Sequence, residues 1–102
     1  MNNIEEYTEK TFESIKHIDE YGNEYWEARE LMPLLEYSKW ENFHKVIKRA
    51  MIACETSNNQ VSDHFPEFRK MVGIGSKTKR ETIDYRLSRY ACYLIVQNAN
   101  PR

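Results

Sequence analysis

Cationic side chains stand out among the residues of this chain that could do chemistry, and that chemistry is the attraction of phosphate. Lys77, Lys79 and Arg80 fall within Gly73-Ile74-Gly75-Ser76-Lys77-Thr78-Lys79-Arg80, which also holds two of the chain's three glycines. Positive charges on a glycine-rich loop approach a phosphodiester closely and displace its counterions. Arg86 and Arg89 flank a strand-to-helix junction. Arg89 would lie in the first turn of that helix, where free backbone N–H groups also favour an anion. Lys45, Lys48 and Arg49 form a second cationic set on an upstream helix, roughly opposite its apolar stripe. An alternative places the nucleic acid on that helix: residues 28–35, a tight link at Glu36-Tyr37 and the helix from Ser38 have the outline of a helix-turn-helix, offering Ser38, Lys39, Asn42 and Lys45 to a groove.

Other chemistries fare worse. Gly73-Ile74-Gly75-Ser76-Lys77 lacks the spacing and the Lys-Ser/Thr pair of a phosphate-binding P-loop. Asp63-His64, with Glu67 nearby, would be the start of a metal-dependent nuclease site. No Cys/His pair here has a recognised metal-ligand spacing, however, and turn and cap roles account for Ser62 and Asp63. We therefore expect no enzyme activity, no cofactor and no metal. Cys54 and Cys92 sit among apolar residues on helix faces and read as reduced, buried thiols. Seven tyrosines exceed the needs of a small core. Tyr21, Tyr37, Tyr85 and Tyr93 would suit a protein contact, since tyrosine is enriched at interfaces.

The formal charge of −1 conceals a gradient: residues 1–30 hold nine acids and three bases, residues 31–68 five and four, and residues 69–102 two acids and eight bases. Either the C-terminal third offers a local basic surface, or the acidic third folds against it and cancels it. The composition, 40% apolar and 30% charged over 102 residues, is that of one globular domain with a modest core. No apolar run approaches a membrane span, and the acidic Met1–Lys10 stretch does not read as a signal peptide, so a cytoplasmic protein is expected.

Periodicity places these residues on elements. Residues 1–11 are polar, either a frayed tail or a short acidic helix led by Ile4 and Tyr7. Strands at about 13–18 and 24–27, joined by the turn Asp19-Glu20-Tyr21-Gly22-Asn23, form a hairpin. A short helix over 28–35 is disturbed by Pro33. Ser38 and Glu41 form a capping box for a helix over 38–54 with Trp40, Phe43, Ile47, Ala50, Met51 and Cys54 in one stripe. A short element at 62–66 has Phe65, Phe68, Met71 and Val72 as its apolar contacts. After the basic loop, Ile83, Tyr85 and Leu87 alternate with Thr82, Asp84 and Arg86, the period of a half-buried strand over 81–87. Ser88 caps a helix over 88–98. The expected fold is α+β: a small antiparallel sheet, the hairpin plus the later strand, packed on three to four helices.

The runs IDYRLSRYACYLIVQNANPR and EYWEARELMPLLEYSKWENFHKVIKRAMIAC, with DHF between them, closely resemble the N-terminal part of the DNA-damage-inducible protein D family. That part is a Bro-N type domain, shared with viral BRO proteins and phage antirepressors. The resemblance covers roughly residues 12 to 102, and implies the N-terminal domain of a longer bacterial protein. It also implies induction in the SOS response, DNA binding, nucleoid association and interference with RecA filaments. The resulting expectation is a non-enzymatic DNA-binding module, its alternative a protein-interaction module whose partner is a RecA filament or a second copy of itself.

Overall fold

The computed structural model describes residues 11–73, 75 and 78–99; residues 1–10 and Lys77 lie outside the described part. Strands β1 (His17–Ile18) and β2 (Glu24–Glu27) lead into helix α1 (Ala28–Leu31), which tightens into a 3-10 turn at Met32–Leu35. Helices α2 (Trp40–Thr56) and α3 (Val61–His64) follow, then β3 (Glu67–Gly73), β4 (Lys79–Leu87) and α4 (Arg89–Asn98). The strands form one antiparallel sheet in the order β1-β2-β4-β3. The fold class is α+β, as expected.

The first hairpin is shorter than its sequence pattern. Residues 11–14 are helical, and β1 is confined to two residues. The helical turn carries Phe12 onto Trp26, with ring centroids 4.4 Å apart, and the Trp26 indole N–H donates to the Phe12 carbonyl. Packing against a buried indole thus overrides the local alternation. The turn itself is as read: the Asp19 side chain accepts from the Tyr21 and Asn23 N–H groups, and Gly22 supplies the left-handed conformation at φ 86°.

The larger correction concerns residues 67–87. The sequence reads as a loop over 73–80 before a strand over 81–87, with no strand ahead of it. Instead β3 and β4 pair from Glu67↔Tyr85 to Gly73↔Lys79, so Gly73, Lys79 and Arg80 of the basic stretch belong to paired strands. Phe68, Met71 and Val72 belong to β3, not to the helix before it. The strand was hidden by Lys70, which sits at an inward position between half-buried Phe68 and Val72. A lysine there erases the apolar alternation, and is tolerated because Glu27 and Asp84 both accept from its ammonium.

Helix α2 starts at Trp40 with Lys39 as its N-cap and no side-chain cap, so the expected Ser38–Glu41 box does not form. Its stripe is otherwise as read: Phe43, Ile47, Ala50 and Cys54 are buried, Val46 joins them, and Trp40 and Met51 pack at the margin. Ile47→Asp is expected to cost about 3–5 kcal/mol by placing an unpaired charge in this layer, whereas Lys48→Asp costs little. Chemical denaturation of both variants checks the helix face, and equal midpoints would contradict it. The Ser88 cap does form, its hydroxyl accepting from the Ala91 N–H at 3.0 Å.

Helices α2 and α4 pack together over Trp26, Tyr85 and Leu87, and contribute Cys54 and Cys92 to the same core. Both thiols are free and buried; burial pushes the Cys92 thiol up to about 12 and raises Cys54 as well. The melting temperature is therefore expected to be the same with and without reductant. A drop on reduction would contradict the free-thiol assignment.

Candidate nucleic-acid interface

Register decides what the β3–β4 hairpin presents. Residues paired across an antiparallel ladder share a face. Tyr85 and Leu87, with Trp26 of β2, form the face buried under the helices. Further out, the same face continues as Arg69, Met71, Lys79 and Glu81, all exposed, with Met71 at 58%. The distal hairpin is thus an uncovered two-stranded arm. Its opposite face carries Phe68, Lys70 and Val72 beside Arg86, Asp84, Thr82 and Arg80.

The cations divide into two groups. Arg89 is held by Glu24 through its Nε (2.8 Å) and an Nη (3.0 Å), and by Glu13 at 3.1 Å. The hydrogen bond to Glu24 leads in raising its pKa, so it stays charged, with that charge balanced by carboxylates. Lys70 is likewise taken up by Glu27 and Asp84. Among the described residues, the acidic third of the sequence therefore does fold against the basic third, at the body end of the sheet. Among the described residues, Arg69, Lys79, Arg80 and Arg86 make no ion pair. They line the arm and its base, and Lys77, between β3 and β4 in sequence, lies outside the described residues. The sequence reading missed Arg69, whose membership of the arm becomes visible only once β3 is recognised.

The rival surface is also present. Lys45, Lys48 and Arg49 are exposed on α2, and Arg49 donates to the Asn98 carbonyl, tying α2 to the end of α4. Ser38, Lys39 and Asn42 are exposed at the start of α2, whereas Trp40 packs at the core margin, with Arg29 4.0 Å above its ring. Of the four tyrosines suited to a protein contact, Tyr37 and Tyr85 are buried; Tyr21 and Tyr93 are exposed, at 80% and 52%.

The arm is tied to the body by a polar network that the sequence does not reveal. Strand alternation puts Asp84 on the solvent side, yet it is fully buried. Its carboxylate accepts from the Arg29 N–H at 3.0 Å and the Tyr85 N–H at 2.8 Å, with the Lys70 ammonium at 3.4 Å. Asp84 therefore caps α1 from across the fold, supplying what Glu27, the N-cap residue, does not. Burial pushes the Asp84 carboxyl above its usual range, against the opposing pull of these donors. The Arg29 guanidinium donates to the Ile83 carbonyl (3.0 Å) and the Thr82 hydroxyl (2.7 Å), sealing the part of β4 that runs past β2. Nearby, His44 Nε2 lies 2.9 Å from the Tyr85 hydroxyl, and burial lowers the His44 pKa.

Metal-ligating groups gather elsewhere than the sequence points. Asp63, His64 and Glu67 are not brought together around one centre; His64 Nδ1 lies 2.7 Å from the Ser88 hydroxyl. Among the described residues, His17, Glu27 and Glu30 place ligand atoms within 4.8 Å of one another. His17 is hydrogen-bonded to Glu30 and Glu27 is paired with Lys70, so each of the three already has a protein partner. No described helix is long and apolar enough to cross a membrane.

The model of the BRO family, N-terminal domain, matches residues 14–102, and the chain belongs to that family. The chain is 52% identical over 90 residues, 88% of its length, to DNA damage-inducible protein D of Escherichia coli (strain K12). It spans 33% of that relative's length. No solved structure matches the chain.

Proposed function

We propose that this domain binds DNA through the β3–β4 arm and acts in the response to DNA damage. The observation that carries the reading is the division of cations among the described residues: Arg89 and Lys70 are consumed by carboxylates at the body, while Arg69, Lys79 and Arg80 on the arm are not. A two-stranded β-ribbon has the dimensions to enter the major groove of B-DNA, and its lysines and arginines position the protein by phosphate contacts. The damage-response setting comes from the relative's name. No catalytic step or cofactor enters the reading. Fluorescence anisotropy with single- and double-stranded oligonucleotides at two salt concentrations tests it. Binding should weaken steeply with salt, and absence of binding at low salt would sink it.

A second reading is supported by a different surface. Ile52 on α2 and Tyr93 and Val96 on α4 are exposed at 63%, 52% and 51%. These helices pack against each other, so their exposed apolar residues suit a protein contact, with a RecA filament or a second copy of the chain as partner. Such a contact would depend little on salt.

A further inference from the structure

Four planar side chains follow one another in strand order on the face of the sheet that carries Arg86. His17 of β1 stacks on Tyr25 of β2, with centroids 5.1 Å apart and planes 15° apart. The Arg86 guanidinium of β4 lies 5.1 Å from the Tyr25 centroid and 4.8 Å from that of Phe68 on β3. Arg86 is exposed, and its side chain makes no hydrogen bond or ion pair among the described residues. An arginine held between two rings has less freedom to lose on binding, while its N–H fork makes no bond to the described residues. Part of the entropy cost of binding a flat, two-point acceptor is then already met in the fold.

We propose that Arg86 reads guanine, donating to the O6 and N7 atoms of its exposed edge, while the arm supplies affinity for the backbone. This deepens the DNA-binding reading and rests on it. Two acceptor pairs in a nucleic acid fit such a fork: guanine O6/N7 and two phosphate oxygens. The surroundings of Arg86 decide between them. Glu27 is its cross-strand partner, and Glu30 lies 2.7 Å from His17 at the far end of the stack. The Asp19 carboxyl is held below its usual range by the Asn23 backbone N–H foremost, with the Arg86 charge adding to the effect. With Glu27 already matched by Lys70, the carboxylates of Asp19 and Glu30 still offset the cations of this face, which gives a phosphate little to gain there, whereas a base edge is neutral and offers only acceptors. Phosphates are better matched by the arm, where Arg69, Lys79 and Arg80 make no ion pair among the described residues. Arg86 and Arg80 share a face of β4, roughly 20 Å apart along the strand. That is about six steps along one DNA strand, so both can engage one site. The guanine edge is open in the major groove and in single strands alike.

The test uses the 102-residue chain and oligonucleotides of one sequence, single- and double-stranded, made with guanine or with 7-deazaguanine, which lacks the N7 acceptor. The unaltered chain should bind the guanine form about ten-fold more tightly. Arg86→Lys keeps the charge but removes the fork, and should erase that ratio. Tyr25→Ala, which frees one side of the stack while leaving Arg86 in place, should reduce it. Lys79→Ala with Arg80→Ala should weaken both forms while leaving the ratio intact. Equal binding of the two forms by the unaltered chain overturns the inference. So does an Arg86→Lys variant that loses affinity for both forms alike, which makes Arg86 a phosphate contact. In either case the DNA-binding reading survives. Failure to bind any oligonucleotide at low salt overturns both.

Discussion

Replacing Lys77, Lys79 and Arg80 together by alanine is expected to weaken DNA binding across all sequences and to flatten its salt dependence. Each phosphate contact contributes about 0.7 to 0.9 to the slope of log affinity against log salt, according to strand state. Three lost contacts therefore remove roughly 2 to 2.7 units of slope. Lys79 and Arg80 are exposed, and no described helix covers the sheet there, so the melting temperature should hardly change. The matched control is Lys45, Lys48 and Arg49 to alanine on α2, with folding checked because Arg49 also ties α2 to Asn98. If the arm variant binds like the unaltered chain and the helix variant does not, the interface lies on α2. If both bind normally, the phosphate contacts lie elsewhere. If neither the parent nor the variants bind DNA, the protein-contact surface around Ile52, Tyr93 and Val96 takes over the reading.

Asp84→Leu is expected to destabilise the domain by about 3 kcal/mol, and Asp84→Asn to be nearly neutral. Leucine leaves the buried N–H groups of Arg29 and Tyr85 without an acceptor, each costing on the order of 1–3 kcal/mol, and removes one of the two carboxylates around Lys70. Asparagine keeps an acceptor for the backbone and removes a charge that burial disfavours. The raised Asp84 pKa has the matching pH signature. Its contribution to stability is full below the unfolded value of about 3.9 and falls as pH rises through the higher folded value. Asp84→Asn should remove that component from the pH profile. Urea denaturation followed by tryptophan fluorescence reads both effects, since Trp26 and Trp40 belong to the core and its margin. Equal destabilisation by the two substitutions would show that the charge of Asp84, rather than its acceptor role, holds the arm to the body.

What the sequence determined by itself is local. The Asp19–Asn23 turn, the α2 stripe and the Ser88 cap follow from residue type and spacing, because each depends on atoms a few residues apart. The family was legible for a different reason, long runs of distinctive sequence. The tertiary structure decided whatever depends on partners distant in the chain. Lys70 conceals β3 because its two carboxylates come from 43 and 14 residues away. Asp84 alternates like a surface residue, yet is buried because it caps a helix 55 residues away. The same long-range pairing sorted the cations. Arg89 lies 65 residues from Glu24, and no local pattern shows that its charge is met there while those of Lys79 and Arg80 are not. Spacing names the charged residues; only the folded register, by bringing distant carboxylates to some of them, decides which charges stay unpaired among the described residues.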